Sequence, residues 1–254
     1  MIPDLKNKVI LITGSSTGIG AEAAKAFGLE GAKVAVHYNS SKPQADEVVA
    51  AIKAKGGEAF AIAGDLSKAG VAENVVKQCV DHYGRIDVLV NNAGSMVRRC
   101  NVADSDDALL DELFHLNMRS VVAASRAAIA HMRKQGGGNI INTTSVAART
   151  GGGPSAVLYA STKGFVSTFT HGLAKELVKD NIRVNAVAPG VILTPFHERY
   201  STQAQLDMLK ATIPMGRLAA ANECNGAYLY LASDALSGYV TGQIMEVNGG
   251  QLMP

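Results

Sequence analysis

The strongest constraint on the fold lies near the start of the chain. A short apolar run, Val9-Ile10-Leu11-Ile12, leads without interruption into Thr13-Gly14-Ser15-Ser16-Thr17-Gly18-Ile19-Gly20. Good helix formers follow, Ala21 through Phe27, with a stop near Gly31. An all-apolar run of this length suits a strand buried on both faces of a parallel sheet. Strand, glycine turn and helix together form the context in which a glycine motif binds a dinucleotide. Gly14 permits the sharp turn, Gly18 lets a pyrophosphate approach the backbone, and Gly20 lets the helix pack closely on the strand. The helix N-terminus offers free N–H groups to the anion. Ser16, Thr17 and Ile19 share this turn and are counted with it as cofactor-binding. The spacing differs from G-x-G-x-x-G by two further residues between the first two glycines.

Further strands follow at the intervals of a βαβ chain. Lys33–Tyr38, Ala59–Ala63, Ile86–Val90, Asn139–Ser145, Ile182–Ala188 and Gln243–Val247 read as strands, separated by helical stretches such as 43–55 and a long one from Asp104 to Met132. The expectation is an α/β, doubly wound Rossmann fold: one domain over 1–254, with a mostly parallel seven-stranded sheet flanked by helices. Residues 194–217 lack a clear strand and read as a flap over the substrate.

The second strand ends where an adenosine ribose would lie. An acidic residue there selects NAD through the 2′-hydroxyl. The chain has Tyr38-Asn39-Ser40-Ser41-Lys42 instead. Asn39, Ser40, Ser41 and Lys42 can donate to a 2′-phosphate, so NADP(H) is favoured over NAD(H). Ser41 and Pro43 equally suit the start of the next helix. At Gly64-Asp65-Leu66, Asp65 either accepts from the adenine amino group or, with Ser67, caps the following helix. Asn91-Asn92-Ala93-Gly94 ends the fourth strand, and its small residues suit a backbone wall against a flat cofactor.

Tyr159 and Lys163 stand at helical spacing and so share a face. A phenol is a poor base at neutral pH, and a fixed ammonium beside it favours the phenolate. The pair is a candidate proton-transfer unit, set against the bland reading of one packed ring and one solvated amine. Ser145 closes the fifth strand at the edge where ligands of open α/β sheets bind. Asn117 is a polar residue inside a helical stretch and calls for a reason.

Net charge is +2 with no basic run, which gives no footprint for nucleic acid. No apolar run reaches membrane-span length and the N-terminus lacks a signal pattern. Cys79, Cys100 and Cys224 are widely spaced and read as reduced thiols of a cytoplasmic protein. His37, His82, His115, His131 and His171 do not cluster, so no metal site is expected.

Thr13-Gly14-x-x-x-Gly18-Ile19-Gly20, Asn91-Asn92-Ala93-Gly94, Ser145, Tyr159-x-x-x-Lys163 and Pro189-Gly190-x-x-x-Thr194 occur in an order and spacing that resemble the short-chain dehydrogenases/reductases over nearly the full chain. The resemblance implies an NAD(P)(H)-dependent oxidoreductase acting on a carbonyl or secondary alcohol. It implies a tetrad of Asn117, Ser145, Tyr159 and Lys163. Tyr159 would move the proton, Ser145 hold the oxygen, Lys163 lower the phenol pKa and hold the nicotinamide ribose, and Asn117 anchor a water. It places Pro189 and Gly190 at the cofactor, with Ile192 and Thr194 on its carboxamide. It also implies a homotetramer, for which the small residues of 120–125 suit close helix approach, although a helix buried inside one subunit reads the same. The substrate is implied to be a sugar, polyol or other small hydroxy compound, or a 3-oxoacyl thioester. Carrier-protein reductases of the family present basic docking residues; here Arg133 and Lys134 fit, whereas Asp180 stands where a base is expected. Substrate choice falls to 95–101, with Arg98 and Arg99, to 146–158, with Arg149, and to the flap, with His197 and Tyr200. The alternative is a dinucleotide-binding regulator of the same fold without turnover.

Overall fold

The structure, a computed structural model, describes residues 2–253. Seven strands form one sheet: β1 (Val9–Ile12), β2 (Lys33–Tyr38), β3 (Glu58–Ala63), β4 (Val88–Asn91), β5 (Gly138–Thr143), β6 (Ile182–Pro189) and, last in the chain, Ile244–Val247. A separate two-residue pair, β7 (Ile192–Leu193) with β8 (Ala219–Ala220), makes the last sheet strand β9. The order is β3-β2-β1-β4-β5-β6-β9 and every pairing is parallel, a step beyond the mostly parallel sheet expected. The order reverses between β1 and β4, so the crevice of a doubly wound sheet opens beyond their C-terminal ends.

The helices α1 (Gly18–Leu29), α2 (Lys42–Ala54), α3 (Val71–Tyr83), α4 (Asp107–Phe114), α5 (Ser120–Gln135), α6 (Ala147–Thr150), α7 (Val157–Leu177), α8 (Pro195–Tyr200), α9 (Gln203–Ala211), α10 (Asn225–Ala232) and α11 (Asp234–Ser237) complete the chain. Two apolar layers sandwich the sheet. One gathers Phe27, Val48, Ile52, Tyr228 and Leu231 from α1, α2 and α10; the other gathers Val75, Val76, Met132, Leu173 and Leu177 from α3, α5 and α7. β1 and β4 are buried along their whole length, as all-apolar strands covered on both faces must be.

The long helix expected from Asp104 to Met132 is divided. A π-helical turn, His115–Arg119, joins α4 to α5 and carries Asn117. An extra residue in the helical ladder re-aims the side chains around it, a device found often at functional sites. Residues 194–217 hold two helices, α8 and α9, the second opened by a reciprocal cap between Thr202 and Gln205.

The turn after β1 is laced to its neighbours. Thr13 Oγ1 accepts from the N–H groups of Asn92 and Ala93, both at 3.0 Å, and the Asn92 amide donates to the carbonyls of Thr13 and Gly14. Gly14 N–H donates to His37 Nδ1 at 2.9 Å, so the His37 proton sits on Nε2, which donates to the Gly64 carbonyl at 2.9 Å. One neutral imidazole thereby ties the ends of β1, β2 and β3. Burial pushes its pKa down to about 4 against an ordinary 6.5.

The unfolded chain therefore takes up a proton below about pH 6.5 that the folded chain refuses until about pH 4. Stability present above pH 6.5 is lost as pH falls through that window, by about 2 kcal/mol at pH 5. Urea titrations at pH 7 and pH 5 will show this loss, and His37→Gln will be flatter over the same interval.

Candidate active site

A crevice of about 1030 Å³ runs along the C-terminal edge of the sheet. Gly14, Ser16, Thr17, Gly18 and Ile19 line its middle, and Asn39, Ser40, Asp65 and Leu66 one end. Ala93, Gly94, Ser145, Tyr159, Lys163, Pro189, Gly190, Ile192 and Thr194 line the rest. Gly14 and Gly18 have φ of 63° and 58°, and a Cβ on Gly14 would stand 2.9 Å from Ala93 Cα. Only glycine takes that turn without strain. The first turn of α1 has no side-chain cap from Thr17, so its N–H groups face the crevice free.

Three expected site residues do not line the crevice. Gly20 packs inward: a Cβ there would sit 2.5 Å from the Gly14 carbonyl, the close helix–strand approach for which a glycine is required. Asn91 is buried in the core, where its amide donates to Ser125 Oγ and Asn142 Oδ1. Asn117 is buried behind the wall. Its Oδ1 accepts from Ser95 N–H at 2.9 Å, and its Nδ2 donates to the Ser95 carbonyl and Thr162 Oγ1. Both amide hydrogens are thus committed to protein, and the side chain has no free N–H for a water.

Lys163 is buried and donates to the Thr143 carbonyl at 2.9 Å, with its Nζ 5.8 Å from the centre of the Tyr159 ring. Desolvation brings its pKa down to about 8. Desolvation also raises the Tyr159 phenol above its ordinary value, while the Ser145 hydroxyl pulls it the other way. In the protein alone, burial therefore holds the phenol above its ordinary value, opposite to the lowering expected from the ammonium. Ser145 Oγ itself accepts from Ala147 N–H at 3.1 Å.

At the adenosine end, Lys42 reaches not into the crevice but along α2 to Asp46, at 2.6 Å. Asp65 lines the crevice and accepts from the N–H and hydroxyl of Ser67, but it does not cap the following helix, which begins at Val71 behind Gly70 with no side-chain cap. Sequence reasoning passed over Ser95, Phe196 and Gln251. Phe196 lies 5.5 Å from Tyr159, ring to ring, and the Gln251 Oε1 lining the crevice is buried without a partner. A lone Gln near the end of a chain offers no motif by which to find it. Among the described residues there is no cluster of metal-ligating side chains, and no helix is long and apolar enough to cross a membrane.

A family model described as enoyl-(acyl carrier protein) reductase matches residues 14–251. A 3-oxoacyl-[acyl-carrier-protein] reductase of Synechocystis sp. is 39% identical over 98% of this chain and 98% of its own length. A glucose and ribitol dehydrogenase of Daucus carota is 37% identical, over 98% of this chain and 86% of its own. The crystal structure of NADH-dependent reductase A1-R' complexed with NAD superposes with a TM-score of 0.89 at 37% identity, covering both chains fully. The chain belongs to the short-chain dehydrogenase/reductase family. It is an oxidoreductase that uses a nicotinamide cofactor on CH–OH or C=O groups.

The residues fit that cofactor. The glycine turn supplies a backbone cradle at the reversal of strand order, and polar side chains flank it at both ends. Burying Lys163 opposes folding, since the charged form is disfavoured below its ordinary pKa. Lys163→Met is expected to stabilise the fold by about 2 kcal/mol after the lost Thr143 bond is counted. Thermal denaturation will show a higher midpoint in a variant that has lost turnover.

Proposed function

We propose that the chain interconverts a small polar carbonyl compound and its secondary alcohol, with Tyr159 as general acid and base. The observation that carries this reading is convergence: Ser145, Tyr159 and Lys163 line the same crevice as the glycine turn. The bound nicotinamide supplies or accepts the hydride. Tyr159 Oη gives its proton to the carbonyl oxygen in reduction and takes it from the alcohol in oxidation. Ser145 Oγ donates to the same oxygen and orients it. Lys163 places a positive charge beside the phenol, which favours loss of its proton, and holds the ribose of the cofactor. Asn117 serves as a positioning residue, pinning the Ser95 loop to α7.

Two observations narrow the substrate. Arg133 is paired with Asp180, Nε to Oδ2 at 2.8 Å, so one of the two cations expected to dock a carrier protein is already neutralised. The flap brings Phe196 over Tyr159, which suits a small substrate. We therefore favour a sugar, polyol or similar hydroxy compound over a 3-oxoacyl thioester, and read 194–217 as the flap that covers it.

We retain NADP(H) as the preferred cofactor. Lys42 is taken by Asp46, so the reading rests on Asn39, Ser40 and Ser41 and on the lack of a carboxylate at the end of β2. A homotetramer follows from family likeness alone, because Ser120, Val121, Ala123, Ala124 and Ser125 are buried within the subunit. The unpaired thiols suit a cytoplasmic setting.

Tyr159→Phe is expected to bind cofactor as before and to lose at least about a hundredfold in turnover. Fluorescence titration with NADPH and NADH beside steady-state assays will check both points. Equal affinities would remove the NADP preference; near-normal turnover would remove Tyr159, and binding with no turnover by the native chain would favour the regulator. Light scattering is expected to give four subunits, and a monomer would reject the assembly.

A further inference from the structure

Arg99 is an arginine without an acid. Nε donates to the Tyr200 carbonyl, Nη1 to the Pro154 carbonyl at 2.7 Å and Nη2 to Ser201 Oγ at 3.3 Å. All three acceptors are neutral, and among the described residues no carboxylate lies within ion-pair distance of it. The other two arginines named for substrate choice differ: Arg98 is paired with Asp106 at 2.7 Å, and Arg149 faces Glu246 at 3.8 Å. A guanidinium carries five N–H donors. Three are engaged, which leaves one on each terminal nitrogen, the fork that matches a carboxylate.

The place of this cation matters as much as its pairing. Arg99 lines the crevice that holds Tyr159, and also an adjoining recess lined by Arg98 and Arg199. The contacts that join it to the chemistry are short: Ser95 Oγ meets the Tyr200 hydroxyl at 2.7 Å, Tyr200 packs on Phe196 at 5.0 Å, and Phe196 packs on Tyr159. The loop is shaped to aim it. Val97 has φ of 62°, a conformation a β-branched residue adopts only at a cost. Ser95 Oγ accepts the Val97 N–H at 2.9 Å and helps hold the turn. Past it, Arg98 points to Asp106 outside and Arg99 into the crevice.

We propose that Arg99 is the residue that selects the substrate, by holding a carboxylate carried on the carbonyl compound away from the reacting carbon. The proposal rests on the reading that Tyr159 marks the reacting end of the crevice. Arg199 also lines the crevice without an ion pair, but it is exposed and lies over the Tyr200 ring, 5.9 Å from its centre, so Arg99 is the half-buried guanidinium there, and one such group compensates one negative charge. His197, which also lines the crevice, is pushed toward its neutral form by burial and by Arg99 beside it, and Lys163, bonded to the Thr143 carbonyl, is the cation assigned above to the phenol and the cofactor ribose. A single carboxylate therefore suits the site better than a phosphate dianion. The acids that line the crevice are Asp65, at the adenosine end, and the exposed Glu112, neither paired with Arg99.

The test uses the holoenzyme with its cofactor and a short series of oxo-acids, each matched by the oxo-amide of the same length. The native enzyme is expected to favour acid over amide by about tenfold or more in kcat/KM. Arg99→Gln is expected to abolish that preference by lowering the acid alone, and Arg99→Lys, which keeps charge without the fork, to restore part of it. Equal use of acid and amide by the native enzyme overturns the proposal. So does a loss in Arg99→Gln that falls equally on both, since a mere clasp between loop and flap would act that way. Calorimetric titration of the same oxo-acids into the cofactor complex reads recognition apart from chemistry. Binding weakened about tenfold by Arg99→Gln without any turnover supports Arg99 and counts against Tyr159; binding unchanged by the substitution overturns Arg99 whatever the turnover. Phosphorylated aldehydes preferred over oxo-acids would also overturn the choice of a carboxylate.

Discussion

Everything chemical in this protein depends on the parallel direction of its strands. With each strand running the same way, their C-terminal ends reach one edge, and the turn after β1 meets the loops after β4, β5 and β6 there. No strand end can be left loose at such an edge, because buried backbone groups need partners. Thr13, Asn92 and His37 provide them, with side-chain bonds between segments far apart in the chain. The glycine turn is therefore held from three strands and does not depend on glycine alone.

The site accepts unfavourable burial in return for position. Lys163 is taken out of water with a single carbonyl partner, and its pKa falls as a result. Arg99 is half-buried against neutral acceptors, and desolvation lowers its pKa as well. Buried charge without a counter-charge is costly unless a ligand completes it. Both cations lie in the one crevice, at places where a bound group would supply the missing negative charge or dipole. The Val97 backbone adds a strained turn in the same wall.

Much of this was legible in the residues. The sequence runs marked all seven strands of the sheet within two residues at either end, because parallel strands covered on both faces leave no polar alternation to confuse. The glycine turn was readable because Gly14, Gly18 and Gly20 each answer a steric demand. Less was legible wherever partners come from distant segments. Asn91 and Asn117 sit in motifs that suggested contact with cofactor or water, yet their amides are spent on Ser125, Asn142, Ser95 and Thr162. Lys42 had the right place in sequence for a 2′-phosphate, but the rise of α2 brings Asp46 beneath it. Arg133 was set against Asp180 in the reading of docking charges, and in the fold the two are a pair.

The sequence by itself determined the class of fold, the position of the nucleotide turn and the helical pairing of Tyr159 with Lys163, since each follows from local sterics and periodicity over a few residues. Tertiary structure alone decided which charges are free. Arg98, Arg99, Arg149, Lys42 and Arg133 are equivalent cations along the chain, and their difference arises only when folding gives four of them a carboxylate and leaves Arg99 with carbonyls and a hydroxyl. Pairing of this kind is a long-range property, set by how loops and helices meet at the sheet edge, and no local pattern encodes it.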